Sequence, residues 1–148
     1  MTYLLEREKV KEYPSIFISS KMKIIVTCAI IENENRVLVV QRSKKMKLPL
    51  KWEFPGGKIE AGESEQECLK REIKEELNIE IQIIKKLTPS SYHYPEISIE
   101  LIPFIAKQTG GELKLNEHSD YKYCERKELL NLDWAEADVP IVKEYLGL

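Results

Sequence analysis

Gly57-Lys58-Ile59-Glu60-Ala61-Gly62-Glu63-Ser64-Glu65-Gln66-Glu67-Cys68-Leu69-Lys70-Arg71-Glu72-Ile73-Lys74-Glu75-Glu76-Leu77-Asn78-Ile79 is the stretch that decides the fold. It predicts a helix from Ser64 to Leu77. Ser64 can accept from the first-turn amides, and Glu67 three residues on can reach back to it, which is a capping box. Asn78 follows the last periodic position, and Asn tolerates the left-handed conformation that ends helices. Helical residues advance by about 100° each. Leu69, Ile73 and Leu77 therefore form the stripe that buries against a sheet. Glu72, Glu75 and Glu76, spaced i, i+3, i+4, fall on a neighbouring face with no Lys among them. Like charges at i,i+4 weaken a helix by roughly 0.2–0.5 kcal/mol. A carboxylate face of this kind is what a hard divalent cation requires.

Working outward, Met22 to Ile31 reads as a buried strand and Glu32-Asn33-Glu34-Asn35 as a turn. Arg36 to Arg42 is the returning strand of a hairpin. Ser43 to Lys51 is a basic loop. Trp52-Glu53-Phe54 is a short strand broken by Pro55-Gly56-Gly57. Gly56-Gly57-Lys58 reads as a flexible loop whose amides approach a phosphate. Beyond the helix, Ile79 to Leu87, Ile97 to Lys107, Glu112 to Leu115 and Tyr121 to Cys124 read as strands. Glu125 to Leu130 and Ala135 to Tyr145 look helical. Strands on both sides of a central helix, with helices at the end, imply a mixed α/β sandwich. Residues 1–20 form an appendage, with apolar positions that fit a short amphipathic helix ending before Pro14.

The chain has 148 residues, enough for one domain, and a formal net charge of −2. That balance gives no global reason to coat a nucleic acid polymer or a membrane surface. Ile24 to Ile31, the longest largely apolar stretch, is far too short to span a bilayer. The charged run Glu6-Arg7-Glu8-Lys9 interrupts any signal-peptide core. The three cysteines, Cys28, Cys68 and Cys124, form no CxxC pair, so the expected compartment is the reducing cytoplasm.

Gly57, five residues, Glu63, seven residues, then Arg71-Glu72-Ile73-Lys74-Glu75-Glu76-Leu77-Asn78-Ile79 resembles the Nudix box, G-x5-E-x7-R-E-U-x-E-E-x-G-U with U aliphatic. One position departs: Asn78 stands where the family has Gly. Trp52 to Glu60, Val37 to Arg42 and Leu132 to Val142 are similar to the MutT-type branch, so the resemblance covers about residues 22–147.

The resemblance implies a single Nudix-type α/β/α sandwich with a mixed sheet over residues 21–148. It implies Mg²⁺, with Mn²⁺ as the alternative, held by Glu72, Glu75, Glu76 and Glu117 with the Gly56 carbonyl nearby. Glu63 and Arg71 would support the helix and its loop. Arg42, Gly57 and Lys58 would meet phosphates, the Phe54 backbone would meet the base, and Asp138 would read it. Plainer readings stand beside these: a loop acid for Glu117, a strand-edge cation for Arg42, a helix N-cap for Asp138, and core packing for Trp52 and Trp134.

The implied activity is hydrolysis of a nucleoside triphosphate to the monophosphate and pyrophosphate, with a box glutamate or Glu117 as general base. The expected substrate is an oxidised purine such as 8-oxo-dGTP, which would make the task nucleotide pool sanitation; (d)CTP is the alternative. Cleavage of another nucleoside diphosphate derivative, and a binding module without turnover, are the remaining rivals.

Overall fold

The computed structural model describes residues 22–148. The appendage and its expected helix before Pro14 lie outside them. Strand β1 (Met22–Asn33) turns into β2 (Arg36–Gln41) through Glu34 and Asn35, at φ 50° and 68°. Two successive left-handed residues make the tight hairpin turn whose twist matches its strands. There follow β3 (Trp52–Glu53), β4 (Gly56–Lys58), helix α1 (Glu65–Leu77), β5 (Ile79–Lys86), β6 (Ser90–His93), β7 (Ile97–Gly111) and β8 (Asp120–Glu125). Two 3₁₀ turns, Arg126–Asn131 and Glu136–Asp138, lead into helix α2 (Val139–Leu146).

The sheet runs β3-β2-β1-β7-β5, with β4 beside β1, β6 beside β7 and β8 beside β2. The central pair, β1 and β7, is parallel from Met22↔Ile97 to Glu32↔Lys107. The remaining pairs are antiparallel, so the sheet is mixed.

Alternation along β1 divides the core in two. Ala29 and Ile31 join Leu69, Ile73 and Leu77 of α1. Val26, Cys28 and Ile30 join Ile141 and Val142 of α2 on the other face. Helices cover both faces, as an α/β/α sandwich requires. Each fully buried Leu or Ile of α1 contributes roughly 1.5–3 kcal/mol, which outweighs the like-charge cost on the acidic face.

Helix α1 starts and ends as its residues dictate. Ser64 accepts from the Glu67 amide, Glu67 accepts from the Ser64 amide, and Asn78 closes the helix at φ 60°.

Other expectations change. Gly56-Gly57-Lys58 is no flexible loop but strand β4, paired with Val26, Thr27 and Cys28. Glu112 to Leu115 is not a strand. That segment instead satisfies the carbonyl end of α1: the Lys114 amide donates to Leu77 O at 2.9 Å and the Asn116 amide to Glu76 O at 3.1 Å. Last-turn carbonyls have no intrahelical donor, so a passing chain is held there. Ser90–His93 is a strand that its own composition does not announce. The Glu125 helix is 3₁₀, and the final helix begins later than expected, at Val139.

Candidate active site

Docking of residues 112–118 on the end of α1 brings the buried imidazole of His118 next to Glu76, with exposed Glu117 beside it. The acidic face of α1 then divides. Glu72 and Glu76 are buried, whereas Glu75 is exposed and accepts from Arg71 at 3.3 Å. Arg71 is the hub of the helix start. It makes a two-point pair with Glu63 at 2.5 and 2.8 Å, meets Glu72 at 2.7 Å, and donates to Lys58 O at 3.2 Å. The Arg71 hydrogen bond holds the Glu63 carboxyl down at about 2. The structure thus brings Glu63 and Arg71 together at the start of the helix.

Gly56 and Gly57 permit close approach rather than motion. A Cβ on Gly57 would lie 1.9 Å from Glu72 Oε2, and one on Gly56 would lie 1.9 Å from the Thr27 carbonyl. Gly57 therefore makes room for Glu72 against the sheet, and Gly56 lets β4 pack on β1. Lys58 is half-buried at the end of β4.

Arg42 is not the strand-edge cation of the plainer reading. It is fully buried, donating from Nε to Lys47 O at 2.5 Å and from Nη1 to Glu53 at 3.3 Å. Glu53, on β3, also meets His118 Nε2 at 2.8 Å, and His118 Nδ1 stands 4.0 Å from Glu76 Oε2. A buried chain Arg42–Glu53–His118–Glu76 therefore crosses the interior. Removing one partner of a buried ion pair costs about 3–5 kcal/mol, because the other charge is left uncompensated. Burial alone would raise the Glu53 carboxyl; the His118 hydrogen bond and the Arg42 charge hold it at about 2 instead.

Glu53 and His118 are site residues that the sequence reading missed. The available signals were a charged residue inside the apolar triplet Trp52-Glu53-Phe54 and a histidine directly after Glu117.

Glu76 is different. Burial first, then the charges of Glu53, Glu72 and Glu117, push its carboxyl well above the usual range, and its buried Oε2 has no hydrogen-bond partner. Glu72 is raised too, by burial against the opposing pull of Arg71. An unpartnered buried carboxylate oxygen with further acids around it is a hard-oxygen donor set that fits a divalent cation. Among the described residues no three Asp, Glu, His or Cys side chains form a ready-made metal cage. Mg²⁺ does not require one, since it keeps several waters and takes one or two carboxylates plus substrate phosphates.

Asp138 is fully buried and makes no cap to α2, so the N-cap reading fails. Its Oδ2 accepts from the Phe54 amide at 2.9 Å, and its Oδ1 is unpartnered. Burial, then the nearby Glu53 charge, pushes its carboxyl up to about 8, so it is largely neutral at pH 7. Of the Phe54 backbone expected to meet a base, the amide donates to Asp138 instead. The Phe54 ring packs on Trp134 at 4.8 Å; Trp134 lies in the core and Trp52 packs against it, as the packing reading had it.

Residues 22–145 match the NUDIX domain model. The CTP pyrophosphohydrolase of Escherichia coli is 34% identical over 131 residues, covering 86% of this chain and 95% of that protein. The 8-oxo-dGTP diphosphatase of Proteus vulgaris is 32% identical over 94 residues, covering 63% of this chain and 84% of its own. Among solved structures, the MutT protein of the Nudix hydrolase family from methicillin-resistant Staphylococcus aureus superposes with a TM-score of 0.71 at 37% identity, over 86% of this chain and 98% of that one. With the box glutamates, the helix that carries them and the sandwich around them all in place, the chain belongs to the NUDIX domain family and is a Nudix hydrolase of the MutT type.

Proposed function

We propose that the protein is a Mg²⁺-dependent nucleoside triphosphate pyrophosphohydrolase that releases nucleoside monophosphate and pyrophosphate, with Mn²⁺ able to substitute. The observation that carries this is the buried, unpartnered Glu76 oxygen beside Glu72 and Glu117. Glu72, Glu76 and Glu117 would hold the cation, with Glu75 and the Gly56 carbonyl serving it. When bound, it supplies charge neutralisation at phosphate oxygens and Lewis-acid activation of water.

The chain's own residues do the rest. Arg71 fixes Glu63, Glu72 and Glu75 in one network and so sets where the acids stand. Lys58, at the end of β4 beside Arg71, offers a cation to the phosphates. Water adds at the β-phosphorus, the bridge to the α-phosphate breaks, and a box glutamate or Glu117 takes the water proton. Glu117 is exposed next to Glu76, which supports it in that role. The three free, buried cysteines support a reducing compartment, the cytoplasm.

Neutral Asp138 favours an oxidised purine. An ionised carboxylate only accepts hydrogen bonds, whereas a protonated one also donates, and the purine O6 needs a donor. A substrate of the 8-oxo-dGTP kind makes nucleotide pool sanitation the task. The second reading, (d)CTP, is favoured by the likeness to the CTP pyrophosphohydrolase over most of both chains.

The test is pyrophosphate release with Mg²⁺ from 8-oxo-dGTP, dGTP and dCTP between pH 6 and 9. The ratio of kcat/KM for 8-oxo-dGTP to that for dCTP is expected to fall as pH rises through about 8, and Asp138→Asn should flatten it. A pH-independent ratio in the wild type assigns the base to the second reading. No release from any of the three sinks both.

A further inference from the structure

Asn78 departs from the box pattern, and its backbone and side chain do different things. The backbone closes α1: at φ 60° its amide donates to Lys74 O at 3.0 Å. A glycine would do this equally well, because it reaches that conformation without strain. The side chain reaches out of the helix, and its Nδ2 donates to Glu112 O at 3.0 Å.

That bond belongs to a set. Three consecutive residues at the end of α1 hold three alternate residues of one segment. Asn78 holds Glu112 through its side chain, Leu77 O accepts from the Lys114 amide at 2.9 Å, and Glu76 O accepts from the Asn116 amide at 3.1 Å. Leu113 and Leu115 pack, partly buried, on the core cluster that contains the α1 stripe, whereas Glu112, Lys114, Asn116 and Glu117 are exposed. The far end is fixed at His118, which meets Glu53 at 2.8 Å, and at Ser119, whose amide donates to Gln41 O at 2.9 Å. Residues 112–119 thus form a strap from β7 to β8, laid across the end of α1. A segment with few buried contacts opens at little cost, so each tie counts.

Glu117 rides on this strap between two contacts to Glu76. The Asn116 amide holds the Glu76 carbonyl, and His118 Nδ1 stands 4.0 Å from Glu76 Oε2. Where the Glu117 carboxylate stands relative to Glu76 is therefore set by how firmly the strap is seated.

We propose that Asn78 is a positioning residue: its side-chain amide clamps the strap on the end of α1 and so holds Glu117 beside Glu76, where the two take a divalent cation together. A glycine here, as in the box pattern, has no atom for this bond. The proposal rests on the reading of Glu117 as a cation ligand above.

The experiment titrates Mn²⁺ into the wild type, Asn78→Gly, Glu117→Gln and the double variant, reading the free ion by its electron paramagnetic resonance signal. Glycine keeps the helix end, so Asn78→Gly removes the side-chain tie while the fold persists, and Glu72 and Glu76 remain to bind the ion when Glu117 is changed. Asn78→Gly is expected to raise the Mn²⁺ dissociation constant at least about threefold, the scale of one hydrogen bond. Once Glu117 is already Gln, the same change is expected to move the constant by less than about 1.5-fold. The Lys114 and Asn116 amides of Asn78→Gly are expected to exchange with solvent at least about threefold faster than in the wild type. Equal weakening in both backgrounds overturns the proposal, since Asn78 would then act without Glu117. An unchanged constant overturns it too: with faster amide exchange it marks a clamp that has no bearing on the site, and with wild-type exchange it denies the clamp. A wild type that binds no Mn²⁺ removes the cation reading and this proposal with it, whereas a wild type that binds leaves the cation reading standing and lets the variants decide the proposal alone.

Discussion

At the scale of single residues, the site is a contest between burial and charge. Glu76 is buried, and burial with the surrounding acids pushes its carboxyl well above the usual range, so its negative charge is costly to hold in the absence of a cation. Glu76→Gln should therefore leave the metal-free protein as stable as the wild type. It should still lower kcat by at least about 10²-fold, since an amide cannot balance a cation's charge. Matched thermal melts and saturating-Mg²⁺ kinetics check both halves; near-normal turnover would remove Glu76 from the reaction.

Asp138 gives a stability signature. Its carboxyl titrates near 3.8 in the unfolded chain and at about 8 in the folded one, so between those values the folded state holds the extra proton. The contribution of Asp138 to stability is then full below about pH 4 and declines as pH rises towards 8, by no more than about 1.4 kcal/mol per pH unit for one proton. Asp138→Asn should remove that decline. Urea titrations from pH 5 to 8 that show the same slope for both proteins would contradict the buried neutral acid.

At the scale of elements, the parts that were legible are those whose cause is local. Ser64, Glu67, the Leu69–Ile73–Leu77 stripe and Asn78 each act within a turn or two, and α1 lies where they predict. Strand β4 was read as a loop because two glycines in a row signal flexibility. What makes it a strand is distant, namely the backbone of Thr27 and Cys28. Strand β6 was missed for the same reason: Ser90-Ser91-Tyr92-His93 has no apolar alternation and is extended by its pairing with β7. Glu53 and His118 were overlooked because neither lies in the helix, and three elements must assemble before they meet.

The adjacent glycines make this concrete. Gly56→Ala would drive a Cβ into the Thr27 carbonyl and Cys28 Cα, which are rigid backbone, and should cost several kcal/mol or prevent folding. Gly57→Ala meets the Glu72 side chain, which can swing away. It should retain a cooperative melt while losing at least about tenfold in kcat. If both variants melt alike, the distinction between a packing glycine and a site glycine fails.

At the scale of the whole molecule, two helix layers on a mixed sheet enclose one buried polar chain, with Arg42 at one end and the carboxylates of α1 at the second. The acids at the second end repel one another, and a divalent cation that relieves them binds the folded chain in preference to the unfolded one. Tm should therefore rise with Mg²⁺ or Mn²⁺, by an amount equivalent to about 2.7 kcal/mol at a hundred times the dissociation constant. The rise should shrink in Glu76→Gln. A melt indifferent to both cations in the wild type would count against the metal assignment.

The parallel pairing at the centre of the sheet also bears on how the chain is made. Met22 of β1 meets Ile97 of β7, seventy-five positions later. At about 5–20 residues per second, a ribosome needs several seconds to deliver the second strand after the first. Through that interval β1, apolar from Ile24 to Ile31 apart from Thr27, has only its hairpin with β2 and the short β4 to lean on. The nascent protein thus carries a sticky, half-paired edge until β7 emerges, a surface that a holding chaperone would cover and that slow translation over residues 59–96 would leave open for longer.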